Sequence, residues 1–124
     1  MNKTIFLTGI FLGALAIILG AFGAHGLEEK LDADAIQTFE TGVKYQMYHA
    51  LALMLVAILI SRFPNSILLT VAGYAFVAGI FIFSGSLYAL TLTGIKWLGA
   101  ITPIGGLAFI IGWLCLALAT WRIE

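Results

Sequence analysis

The chain has 124 residues, of which 62% are hydrophobic and 10% charged, and its formal net charge at pH 7 is zero. Soluble domains carry about 25% charged residues, so this chain has too little polar surface to cover a water-soluble globule. The neutral balance excludes a basic face for nucleic acid, and a single cysteine excludes an intrachain disulfide framework, which leaves a membrane protein.

Four long stretches contain no Asp, Glu, Lys or Arg. A helix needs roughly 20 apolar residues to cross the bilayer core, so each stretch predicts one span. The predicted spans cover residues 5–24, 45–61, 67–90 and 103–121. Helices are required because unpaired backbone groups are too costly in lipid, and the stretches lack the alternation of barrel strands. The small residues Ala21 and Gly23, on either side of Phe22, resemble a signal-peptide cleavage site, but we interpret the first stretch as a true span.

The polar stretch 25–44 joins the first two spans and carries five acidic residues, Glu28, Glu29, Asp32, Asp34 and Glu40. Its apolar residues recur every four positions, which predicts a short amphipathic helix. Asp34 followed by Gln37 resembles a capping box and predicts a helix start near Ala35. Gly42 weakens the join to the second span and leaves open whether the helix continues into it. The acidic face argues against adhesion to anionic lipid.

The remaining connections have turn signals. Pro64-Asn65 predicts a tight turn between the second and third spans, and Gly94 predicts the end of the third. Thr102 followed by Pro103 predicts an N-cap and the first helical residue of the fourth span. We therefore predict a single all-α domain over residues 1–124, an up-and-down four-helix membrane bundle with a short amphipathic helix between spans one and two.

The sequence offers six basic residues from which to predict the orientation of the bundle in the membrane. Three basic residues fall on each side of the bundle, so the positive-inside rule gives no preference between the two sides. Lys3 ahead of the first span favours both termini in the cytoplasm, with the bundle in the bacterial cytoplasmic membrane.

Polar residues concentrate on one side of the predicted bundle. An up-and-down path brings together the end of span one, the start of span two, the end of span three and the start of span four. The candidates for handling a ligand or protons in these segments are His25, Tyr45, Tyr48, His49, Ser84, Tyr88 and Thr102, whereas helical spacing predicts that Ser86 points elsewhere. Polar groups inside a membrane are expensive and therefore candidates for function. The competing interpretation is that both histidines only satisfy backbone or tyrosine groups.

Small residues at helical spacing predict close helix packing. Gly9, Gly13, Gly20 and Gly112 are the candidates, either inside the bundle or between protein copies.

The sequence lacks the residue patterns of a metal site, a haem site or a nucleophilic active site. Two imidazoles with Glu28 or Glu40 lack metal-site spacing, so we expect no metal and no cofactor such as haem. Ser84 or Ser86 with His49 lacks an orienting carboxylate and a nucleophile-elbow motif, which makes an enzyme the least favoured class.

Four ordered segments carry a family resemblance: "GAFGAHGL", "YQMYHALAL", "FSGSLYALTLTG" and "LGAITPIGG". They resemble the signature stretches of a family of small bacterial membrane proteins, catalogued as domain of unknown function family 423. The resemblance covers nearly the whole chain and implies a four-span protein of the bacterial cytoplasmic membrane, with no agreed activity.

Two functional hypotheses remain. In the first, the polar cluster forms a small cavity that binds or conducts a small solute, an ion or protons. In the second, the protein is a structural or accessory subunit that associates through its helices with further copies or a membrane protein partner. Both hypotheses place the chain in the lipid bilayer, and neither involves nucleic acid.

Overall fold

The computed structural model describes residues 3–123 and shows, over that range, helices and turns without a strand. Four helices are long and apolar enough to cross a membrane: Lys3–His25, Ala33–Arg62, Ile67–Thr93 and Lys96–Arg122. The protein is thus an all-α membrane protein with four candidate spans, as the charge-free stretches predict.

Helix α1 covers Lys3–His25 and helix α2 covers Ala33–Arg62. The predicted amphipathic helix is the first part of α2, continuous with the second span. At 30 residues, α2 is about 45 Å long, so its first turns extend beyond a bilayer core of about 30 Å. Phe39 on the predicted apolar stripe is buried, whereas Asp34 and Glu40 are exposed.

The predicted start of this helix near Ala35 is wrong by two residues. Asp32 is the N-cap, and its carboxylate accepts a hydrogen bond from the Ala35 backbone N–H at 2.8 Å. Asp34 lies in the first turn, where its charge interacts favourably with the helix dipole.

The third span consists of α3 over Ile67–Gly79, a π-helical turn over Ile80–Ser84 and α4 over Gly85–Thr93. Gly94 follows it with φ 73°, and its N–H donates to the Leu90 carbonyl at 2.8 Å. This left-handed C-cap confirms the predicted stop signal.

Helix α5 covers Thr102–Arg122 and follows a 3₁₀ turn over Lys96–Ala100. The prediction that Thr102 is the N-cap is wrong, because Ile101 occupies that position and Thr102 is already helical. The Thr102 hydroxyl is within hydrogen-bond distance of the Ser86 hydroxyl, 2.6 Å between the oxygens, instead of capping its own helix.

In the bundle, α2 packs against the third span, α1 packs mainly on α2, and α5 packs mainly on α3. The core between them is apolar, with Leu53, Leu69 and Phe76 fully buried. The four predicted packing glycines face other helices of this bundle, with Gly9 and Gly112 buried and Gly13 and Gly20 half-buried. Their closest side-chain neighbours are Met54 for Gly9, Ala50 and Met47 for Gly13, Val43 for Gly20 and Phe76 for Gly112.

Candidate functional site

The polar residues of the spans meet in one half of the bundle interior. We call this region the polar half and define it by Gln46, His49, Ser84, Ser86, Tyr88 and Thr102. Its side chains make hydrogen bonds between helices, whereas three threonines of the other half bond only to carbonyls four residues earlier in the chain. Thr8 donates to the Thr4 carbonyl, Thr70 to Ser66 and Thr120 to Leu116.

His49 lies near the middle of the bundle along its length. Gly13, at the middle of α1, lies against Ala50 next to it. Gly112, at the middle of α5, lies against Phe76, whose ring is 5.4 Å from the His49 ring. The polar half therefore runs from the first turn of α5, at Thr102, to the centre of the membrane-spanning region.

The partners of His49 determine its tautomer. The indole Nε1–H of Trp113 donates to its Nε2 at 3.0 Å, and its Nδ1 lies 2.7 Å from the Tyr45 carbonyl oxygen. Because an indole N–H only donates and a carbonyl only accepts, the ring is neutral with its proton on Nδ1. The ring is 5% exposed and stacks on Phe109 with centroids 3.5 Å apart. Both ring nitrogens therefore have a hydrogen-bond partner within the protein.

Gln46 joins three helices. Its Nε2 donates to the Leu12 carbonyl of α1 at 2.8 Å, and its Oε1 accepts from the Tyr88 hydroxyl of α4 at 2.7 Å. The side chain is 2% exposed. Sequence reasoning missed this residue, although an amide in a charge-free span is itself a signal of an interior polar contact.

Ser84 and Tyr88 both contact α2 at Gly42. Ser84, in the π-helical turn, is fully buried and donates to the Gly42 carbonyl of α2 at 2.6 Å. The Tyr88 ring lies directly on Gly42, where a Cβ atom would be 2.7 Å from its Cε1. This contact explains a glycine within α2, which costs about 1 kcal/mol of helix propensity relative to alanine.

His25 and Tyr48 lie apart from this network, and Tyr45 contacts it through its backbone carbonyl and the face of its ring. His25 is exposed at the end of α1, more than three helical turns beyond Gly13, which places it about 18 Å from the level of His49. The Tyr45 ring packs on Phe83, with centroids 4.7 Å apart, but the residue is 39% exposed. Tyr48 is 55% exposed on the outer face. The predicted single cluster is thus divided, and the structure does not bring His25 and His49 together.

The polar half is closed in this structure. Every buried side-chain nitrogen or oxygen in the described part of the chain has a hydrogen-bond partner. The polar atoms of Gln46, His49 and Ser84 bond protein groups, so the expected open cavity is replaced by a network of direct bonds. Within residues 3–123, no three His, Cys, Asp or Glu side chains are grouped as a metal site requires.

The comparisons with known proteins agree with the membrane architecture. The profile of a family described as "Protein of unknown function (DUF423)" matches residues 19–106. The chain is 50% identical over 117 residues to the UPF0382 membrane protein YwdK of Bacillus subtilis (strain 168), covering 94% of this chain and 95% of that protein. It is 49% identical over 119 residues to the UPF0382 membrane protein SAB0533 of Staphylococcus aureus (strain bovine RF122 / ET3-1), covering 93% and 96% of the two chains. No solved structure matches this chain.

Proposed function

This chain belongs to the DUF423 family, and we propose that it binds a small, uncharged polar solute in the polar half of its interior. The observation that supports the proposal is the difference between the two halves of one bundle. The other half associates through apolar side chains and close glycine contacts, without a hydrogen bond between side chains of different helices among the described residues. Helix packing alone therefore does not require the buried polar groups of the polar half.

The chemistry of the polar half favours an uncharged solute. Gln46, Ser84 and Tyr88 supply neutral donors and acceptors, and the His49 ring is neutral in its bonded state. None of the residues that define this region carries a carboxylate, an ammonium or a guanidinium group. An ion transferred here would lose its hydration without a compensating charge, which costs far more than transferring a neutral polar molecule.

The geometry favours binding over conduction. The interhelical polar contacts stop near His49, and the core beyond it is apolar. A solute entering from the rim near Thr102 would exchange protein–protein hydrogen bonds, such as Gln46 to Tyr88, for bonds to itself.

Cysteine accessibility tests whether the polar half opens to water. Ser84→Cys and Ala72→Cys are placed singly in a Cys115→Ala background, since both positions are 0% exposed but lie in different halves. We expect iodoacetamide, a small uncharged reagent, to alkylate Cys at position 84 at least tenfold faster than at position 72. Equal protection of both positions over hours would contradict the proposal and favour an accessory subunit.

Ion flux in proteoliposomes separates binding from conduction. We expect proton, sodium and potassium fluxes through the native protein to equal those of protein-free vesicles. A flux that disappears in His49→Ala would support conduction through the bundle instead.

The accessory hypothesis is the alternative, and it requires a surface for association. The four glycines proposed to drive helix association face α2 or α3 within the chain, so they leave no glycine-lined outer face. A further copy or partner would have to contact large exposed side chains of α1 and α5, such as Phe11, Ile17 and Ile110.

We also propose that the protein lies in the bacterial cytoplasmic membrane with both termini in the cytoplasm. Each end of the bundle carries three basic residues, and the support for this orientation is Lys3 at the start of α1. The polar half then opens toward the outside of the cell.

A further inference from the structure

The bundle end opposite the acidic segment contains a cleft, remote from the polar half. It lies between the α2–α3 turn and the last turn of α5 and has a volume of about 520 Å³. Its polar lining comes from Asn65, Ser66 and Arg122, and its apolar lining includes Phe63, Leu68 and Ala119. The cleft thus combines a cationic group with an apolar wall.

Arg122 has no charge partner within the described chain. Its guanidinium makes no hydrogen bond or ion pair with residues 3–123, and the Asn65 amide makes none either. Apart from Glu124, which lies outside the described residues, every acidic residue belongs to the segment 28–40 at the other end of the bundle. Lys3 and Arg62 at the cleft's end of the bundle add to the positive potential around it.

The cleft lies at the level of the lipid headgroups. It lies where α2 ends at Arg62 and α3 begins at Ile67. Trp121, one residue before Arg122, is 86% exposed, and tryptophan is enriched where headgroups meet acyl chains. A guanidinium at this depth meets phosphate groups, and the side chains below it meet acyl chains.

We infer that this cleft binds one phospholipid with an anionic headgroup. The phosphate accepts hydrogen bonds from the Arg122 guanidinium, which matches phosphate oxygens in a two-pronged geometry. The Asn65 amide donates to the same headgroup, and the upper part of an acyl chain packs against Phe63, Leu68 and Ala119. The apolar wall distinguishes this occupant from free phosphate, which would leave that surface uncovered.

Native mass spectrometry of the full chain in a non-ionic detergent tests this assignment. The protein is titrated with phosphatidylglycerol and, separately, with phosphatidylcholine of the same acyl chains. We expect one phosphatidylglycerol to bind at least tenfold more tightly than phosphatidylcholine. Arg122→Gln should weaken phosphatidylglycerol binding about fivefold, the effect of one basic residue near a charged membrane surface.

Arg62→Gln is the matched control, because Arg62 is exposed at the same bundle end but does not line the cleft. It should weaken phosphatidylglycerol binding clearly less than Arg122→Gln does, because it changes only the surrounding potential and removes no group from the cleft. Equal losses in both variants would show general electrostatic attraction and overturn the site. Equal affinity for the two lipids would also overturn the site. Displacement of phosphatidylglycerol by inorganic phosphate would overturn it as well, because it would indicate a site for the free anion.

Discussion

The Trp113 indole N–H donates to His49 Nε2 at 3.0 Å and thereby links α5 to α2 near the middle of the bundle. Trp113 is 44% exposed, so one edge of its ring faces the surroundings while its polar atom is used inside. His49 holds its proton on Nδ1 toward its own helix. The pair accounts for a buried imidazole without assigning it a proton-transfer role.

Trp113→Phe should destabilise the protein by about 1 kcal/mol, because His49 Nε2 loses its hydrogen-bond donor inside the bundle. Thermal unfolding in detergent, followed by circular dichroism, measures the change. Trp121→Phe is the control, since Trp121 is 86% exposed and its indole makes no hydrogen bond with described residues. Similar losses in the two variants would mean that the hydrogen bond to His49 contributes nothing.

Gln46→Leu should cost about 1–2 kcal/mol, because it removes bonds to α1 and α4 and leaves the Tyr88 hydroxyl without its partner. A double-mutant cycle with Tyr88→Phe isolates the bond between the two side chains. We expect a coupling free energy of about 0.6 kcal/mol or more, typical of hydrogen bonds between membrane helices. Strictly additive effects would show that Gln46 acts only through Leu12.

Gly112→Ala should be destabilising although alanine is the better helix former. A Cβ atom at position 112 would lie 2.5 Å from Cε1 of Phe76, whose fully buried ring has no space to move. We expect a loss of about 1–3 kcal/mol, typical of overpacking. At Gly13 the nearest atoms would be 3.8 Å away, so Gly13→Ala should be neutral or stabilising. Equal effects at the two positions, measured by the same thermal unfolding, would contradict this assignment of the packing contacts.

The spans and their turns could be predicted from the sequence because charge-free length and turn residues are local signals. Pro64-Asn65 and Gly94 end helices where the sequence indicates, and the third span continues only three residues past its predicted end at residue 90. The Asp32 cap was missed because Asp34 with Gln37 mimics a capping box two residues later. Which of the two aspartates caps α2 depends on how the chain enters the helix from residues 26–31, and these residues carry no comparable local signal.

The interior of the site was predicted only in part. The alternating direction of the four helices predicts on which side of the membrane a residue lies, but not how deep it lies. Gly9 and Gly13 pack on α2 at Met54 and Ala50, and this register places His49 far from His25. The π-helical turn has no local sequence signal. It coincides with tertiary contacts, because Ser84 bonds Gly42 and the backbone of Phe83 lies against Gly105. Trp113 was missed as a partner because an indole in an apolar span is ordinary in itself.

The proposed orientation gives the last prediction. With both termini in the cytoplasm, green fluorescent protein fused after residue 124 should fluoresce, and alkaline phosphatase fused there should be inactive. A phosphatase fusion inserted after Gly94 should be active, because the left-handed cap and the exposed 3₁₀ turn that follows lie at the opposite end of the bundle. The two positions are separated by one span. If the four helices alternate in direction, the phosphatase must therefore be active at one position and inactive at the other. An active phosphatase after residue 124 with an inactive one after Gly94 would reverse the orientation and open the polar half to the cytoplasm. Equal readings at both sites would contradict the up-and-down path itself, since α5 would then fail to cross the membrane.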